Sequence, residues 1–309
     1  MLFATSGVTV DPWVPVMVAF AISVVTSTGG VSGAFLLLPF QMSVLGFTSP
    51  AVSATNHLYN VIAIPSGVWR TIREGRMVWP LAAAVVVGTL PGVLIGAWVR
   101  VRFLPDPGSF KIFAGLVLGW IGIRLLRDMV RGGGSRATEA ERRFREKIRK
   151  DATTTESTDQ RSRVLSVSMA RLRYQFAGED FEVSTPGVLA LSLGVGMIGG
   201  TYGIGGGAIM APFFVSVLGL PVFTVTGAAL AGTFVTSLAG VAIFQALAPA
   251  YPGLAVAPDW KLGLLFGLGG ALGTYCGTRL QKHIPGRAIK WMLAAIILAT
   301  ALRYLAAVL

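Results

Sequence analysis

The chain has 309 residues, 53% of them hydrophobic and 13% charged, with a mean hydropathy of +0.69. A soluble domain of this length would not tolerate so much apolar surface, so the composition indicates an all-α polytopic membrane protein. The net charge of +12 is concentrated in one place, with 12 of the 26 Lys and Arg between Arg131 and Arg173 and nine of the 14 acids between Glu139 and Glu182, which points to a cytoplasmic face and away from nucleic acid.

In chain order, MLFATSGVTVDPW has no Lys or Arg before the first apolar run, so that run is expected to stay in the mature protein rather than leave as a signal peptide. Apolar stretches follow at 14–46, 50–69, 79–99 and 110–130, and these make residues 1–130 a first membrane repeat. Residues 131–184 read as a charged cytoplasmic insert. It opens with a flexible GGGS at 132–135, continues as a charged helix over 137–150 and a TTTEST linker, and ends in RLRYQF and DFEV, whose alternation suggests a β-hairpin. As a solvated connector it would let the two repeats sit antiparallel; as a docking or gating module it would do more. Residues 185–309 form the second membrane repeat, with apolar stretches at 188–220, 223–245, 260–280 and 288–309. Its Cys276 is the single cysteine of the chain, which excludes an internal disulfide or a thiolate metal cluster.

The two quartets are copies. At an offset of 173, Thr28, Gly30, Gly33, Pro39 and Phe40 recur as Thr201, Gly203, Gly206, Pro212 and Phe213; at 181, Trp79, Gly88, Gly92 and Gly96 recur as Trp260, Gly269, Gly273 and Gly277. Basic residues orient them. The loop with Arg70, Arg73 and Arg76 reads as cytoplasmic, its uncharged counterpart 246–258 as external, and the next connection, with Arg279, Lys282, Arg287 and Lys290, as cytoplasmic. Equivalent loops on opposite faces mean an inverted repeat; the loop around Arg100, Arg102 and Lys111, placed outside, is the exception. Parity then makes 188–220 and 14–46 short or half-height helical hairpins, re-entrant or broken at their glycines and meeting near the midplane.

Non-helical backbone at that depth survives only beside protein or a polar cavity, and helix ends with free N–H groups suit an anion. The candidate substrate-binding residues are therefore Thr26, Ser27, Thr28, Gly29, Gly30, Ser32 and Gly33 on one tip. On the other they are Gly200, Thr201, Tyr202, Gly203, Gly205, Gly206 and Gly207. The alternative is that such glycines only permit close packing, which is the expected role of the four-residue rows Gly88–Gly92–Gly96 and Gly269–Gly273–Gly277. The acidic residues lie in loops, in the middle segment or, for Asp128, at a helix end, which argues against a carboxylate proton relay or cation site. His57, between Asn56 and Asn60 in ATNHLYN, is the ionisable side chain inside a span, and all three join the candidates.

GGTYGIGGGAIMAPF with VLGLP, the weaker copy TGGVSGAFLLLPF with VLGF, and REGRMVWPLAAAVVVGTLPGVLIGA resemble the TauE/SafE sulfite exporters, also called the 4-toluene sulfonate uptake permease family. The first copy departs from the family's glycine run at Thr28, Ser32 and Ala34. The resemblance implies passage of sulfite, thiosulfate, sulfate or organosulfonates across a cell (inner) membrane, with no enzymatic activity and no cofactor or metal. The lipid bilayer and the anion are the expected partners, and a second copy of the chain is a candidate one. A cell interior negative by about 100 mV drives each negative charge outward with about 2.3 kcal/mol, so export needs no coupling ion. Two other readings compete: a channel-like anion facilitator, and an intramembrane serine protease using Ser32 of the GVSG string with His57 as base.

Overall fold

A computed structural model describes residues 1–28, 32–75, 77–130, 162–176, 178–207, 210, 213–214, 218–280 and 286–306. The charged helix expected at 137–150 lies outside these residues, as do the flexible lead, the linker and the candidates Gly29 and Gly30. The first half supplies α1 (Trp13–Thr28), α2 (Ala34–Ser43), α3 (Ala51–Ala63), α4 (Pro65–Arg73), α5 (Trp79–Arg102) and α6 (Pro107–Val130). The second supplies α7 (Thr185–Tyr202), α8 (Val222–Leu247), α9 (Trp260–Leu280) and α10 (Gly286–Ala306). Among the described residues two helical stretches, 79–102 and 224–250, are long and apolar enough to cross a bilayer; the first, 24 residues at about 1.5 Å each, reaches past the hydrocarbon core.

The apolar stretches break where backbone chemistry requires it. Pro65 has no N–H to donate and fits only a first helical turn, so the single stretch expected over 50–69 becomes α3 and α4. Stretch 188–220 breaks after Tyr202, where Gly203 (φ +86°) and Gly205 (φ +75°) take left-handed conformations and the N–H groups of Gly203 and Ile204 both donate to the Gly199 carbonyl, at 2.8 and 3.0 Å. Helical residues resume at Gly206. Stretch 14–46 breaks between Thr28 and Ala34. α5 runs beyond the expected 79–99, so Arg100 is not a loop residue: it lies in the last turn, fully buried, drawn inward by the carbonyls of Thr48 and Leu104.

The glycine rows set the helix packing. A Cβ at Gly88, Gly92 or Gly96 of α5 would collide with α7 around Leu189, Leu193 and Met197, and one at Gly196 or Gly200 of α7 with the backbone of Thr89 or Val93. In the same way Gly269, Gly273 and Gly277 of α9 lie against Val16, Phe20 and Val24 of α1. Each half's long glycine-rowed helix thus packs on the first helix of the other half. α6 and α10 pack on each other, with Gly115 and Gly122 receiving Leu305 and Leu298.

Beside this bundle β3 (Arg163–Val167), β4 (Arg171–Phe176) and β5 (Glu179–Ser184) form an antiparallel sheet in that order. Alternate residues Leu172, Tyr174, Phe176, Phe181 and Val183 are buried and continue the main core, so the sheet is docked on the bundle. Tyr174 Oη and Thr224 Oγ1 are hydrogen-bonded at 2.9 Å, and burial raises the Tyr174 pKa well above its ordinary value. On the other side, the Ser162 N–H donates to the Gly75 carbonyl at 3.1 Å. At the chain start, β1 (Leu2–Phe3) and β2 (Val8–Thr9) form a small hairpin held by Ser6, which donates to the Asp259 carboxylate ahead of α9.

Candidate functional site

α3 is the polar centre of the molecule. Ser53, Asn56, His57 and Asn60 are spaced i, i+3, i+4 and i+7, which puts them on one helix face, and all four are fully buried. A buried polar side chain needs partners, and these find theirs on both chain breaks. The Ser53 hydroxyl donates to the Thr201 carbonyl (3.0 Å), and the Asn56 amide to the Ala34 carbonyl (2.9 Å). Asn60 serves both breaks at once, accepting from the Ser32 hydroxyl at 2.8 Å and donating to the Ile204 carbonyl at 2.8 Å. An amide can do this because it carries separate donor and acceptor atoms. Tyr202 adds a direct link, its phenol donating to the Phe35 carbonyl at 3.2 Å.

His57 sits between α3 and α8. Its Nδ1 is 3.3 Å from the Ser237 hydroxyl, its ring lies where a side chain on Gly240 would be, and Phe244 flanks it at 6.1 Å between centroids. Its Nε2 is buried and makes no hydrogen bond; the Gly200 backbone faces the ring without reaching hydrogen-bond geometry. In the tautomer in which Ser237 donates to Nδ1, Nε2 carries the ring proton and is a donor.

The other candidates divide. Thr26 and Ser27 donate back to Ile22 and Ser23 of their own helix, and Ser27 abuts Gly277 in the α1–α9 contact. Thr201 donates to Gly96 and Met197 carbonyls. Thr28 ends α1, at the edge of the first break. A Cβ on Gly33 would meet the Tyr59 hydroxyl, and one on Gly200, Gly203, Gly205, Gly206 or Gly207 would fall closer than 3.0 Å to protein atoms. Gly203 lies on the Ser53 backbone and Gly207 against Ala229 and Thr233, so close approach accounts for these glycines sterically. The Gly206 N–H donates to Thr236 Oγ1 at 3.2 Å.

Sequence reading missed Ser53, Gln41, Thr233, Thr236, Ser237 and Arg100. Thr233, Thr236 and Ser237, at i, i+3 and i+4 on the mostly apolar α8, were visible as a polar stripe by the same spacing rule that groups the α3 residues. The Ser32–His57 pair that a protease requires is not formed: Ser32 donates to Asn60, and His57 pairs with Ser237.

An apolar helical bundle enclosing a polar seam between two chain breaks defines an all-α membrane protein with a buried polar centre. The chain belongs to the sulfite exporter TauE/SafE family, whose model matches residues 16–304, nearly its whole length. No curated protein and no solved structure matched it. Family membership makes it a membrane transporter for sulfite or a related anion and fits a protein that is not an enzyme.

Proposed function

We propose that the protein exports a small sulfur-containing oxyanion, sulfite or an organosulfonate, across the cell inner membrane by alternating access at the seam between the two breaks. The observation that carries this reading is His57 Nε2, a buried ring nitrogen without a hydrogen-bond partner beside the second break, which donates in the tautomer that accepts from Ser237 at Nδ1. An anion shorn of water needs such donors, and no carboxylate partners the candidate residues in the described structure. His57, Asn60, Ser32 and the backbone of Gly205–Gly207 are the contacts proposed for it.

The reading includes an inverted repeat in which the stretches 14–46 and 188–220 are hairpins entering from opposite sides. Two facts support it: each half's glycine row packs on the other half's first helix, and the arginine-bearing and uncharged loops fall in corresponding positions of the two halves. Residues 131–184 are proposed to lie on the cytoplasmic side. With no intramembrane carboxylate, the membrane potential suffices as driving force.

The test is flux from proteoliposomes loaded in turn with sulfite, thiosulfate, sulfate, an organosulfonate and phosphate, under an imposed potential and with the pH gradient varied. Saturable, potential-driven efflux of a sulfur anion that needs no pH gradient is the expected result. Flux that never saturates would indicate a channel-like facilitator, dependence on a proton gradient would overturn the uncoupled mechanism, and no anion flux would remove the reading.

A further inference from the structure

Arg100 is the largest fully buried side chain of the described residues, and nothing in the seam accounts for its charge. Its Nε donates to Ser53 Oγ at 3.4 Å, one terminal nitrogen to the Leu104 carbonyl and the other to the Thr48 carbonyl at 3.1 Å, and its guanidinium lies 3.7 Å over the Phe110 ring. Every one of these partners is neutral. Asp106, the acid nearest in sequence, is exposed and accepts from the Ser109 N–H and hydroxyl, which hold its carboxyl below the usual range. A buried cation ordinarily pairs with an anion, because taking it out of water costs more than carbonyls return.

Its position ties this charge to the seam. Ser53, which receives the Arg100 N–H, donates its own proton to the Thr201 carbonyl, and its backbone touches Gly203. Phe110, under the guanidinium, lies 6.3 Å from Tyr202. Arg100 is thus two hydrogen bonds from the second break. Of the five N–H groups of a guanidinium, three are engaged, leaving part of the planar fork for a ligand with two oxygens on one atom.

Building on the transport reading above, we propose that Arg100 and Ser53 form a second anion-binding station, at the end of α5, where the sulfur oxyanion in transit supplies the counter-charge that Arg100 lacks. The station selects for negative charge before or after the His57 seam and favours dianions over monoanions, since the attraction scales with ligand charge. It also removes Arg100 from the loop charges that bear on topology.

The test measures half-saturating concentrations in proteoliposomes for sulfate, a dianion, and methanesulfonate, a monoanion. Arg100→Gln should raise the sulfate value about tenfold and the methanesulfonate value about threefold, Arg100→Lys should recover most of both, and Arg102→Gln, at an exposed position of the same turn, should change neither. Equal effects on the two anions with no rescue by Lys would mean a structural role and overturn the station, as would an unchanged Arg100→Gln. If the Gln variant does not assemble, Ser53→Ala decides: a raised sulfate value supports the station, an unchanged one overturns it. A wild-type protein that carries neither these anions nor sulfite would defeat the transport reading itself, whereas wild-type flux indifferent to Arg100 defeats only this inference.

Discussion

α3 and α8 each follow the chain break of their own half, yet they dispose of their polar groups differently. On the face of Ser53, Asn56, His57 and Asn60, α3 carries two amides, an imidazole and a hydroxyl, and reaches across to Thr201, Ile204, Ala34 and Ser237. α8 carries hydroxyls at Thr233 and Thr236 that donate back to Ala229 and Gly232 of their own helix, at 2.8 and 2.6 Å. A hydroxyl in a helix can be satisfied within one turn, whereas an amide has donors and acceptors to spare and holds two separate segments together. Chemistry and assembly therefore lie with α3, while α8 mainly supplies a small-residue surface on which Gly205–Gly207 can rest.

Four substitutions would break or sharpen that contrast, the largest effect first. Gly203→Val meets both a left-handed backbone and the Ser53 main chain, so we expect a loss above about 4 kcal/mol and no monodisperse protein in detergent chromatography. Asn60→Leu strands the Ser32 hydroxyl and Ile204 carbonyl; about 1–3 kcal/mol per unpaired group should appear as a lower melting temperature, with flux abolished. His57→Leu strands only the Ser237 hydroxyl, so melting should fall less than in Asn60→Leu, but anion flux should drop about tenfold or more, the worth of one hydrogen bond to a charged ligand. Thr236→Val, which loses a locally satisfied hydroxyl and strands the single Gly206 N–H, should cost about 1 kcal/mol in the same melting assay, below the two groups stranded by Asn60→Leu. If Thr236→Val proved as damaging as Asn60→Leu, the division of labour between the two helices would be wrong.

Much of the bundle was legible because packing by glycine leaves a trace in spacing. Gly88, Gly92 and Gly96 repeat every four residues and recur in the second half, and the structure places both rows at helix contacts. The breaks at Pro65 and Gly203 differ in this respect: the apolar run continues through the proline and hides its break, while the glycine run announces its own. The site was only half legible. Asn56, His57 and Asn60 stand out as polar residues in an apolar stretch, but their partners are main-chain carbonyls of Ala34, Thr201 and Ile204, and a carbonyl has no identity in a sequence. Arg100 was misplaced for a related reason. A basic residue at the end of an apolar run looks like a boundary marker, and only the folded positions of Thr48 and Leu104 reveal that it turns inward.

The exchange of packing partners between halves also bears on biosynthesis. α5 is made well before α7, and α1 before α9, so the first half enters the bilayer with its glycine-lined contacts unmet until the later helices are translated. Neither half is then a self-sufficient folding unit, and native packing must close after both have been inserted. Two fragments divided within residues 131–161 and expressed together should reassemble, while each alone should be degraded.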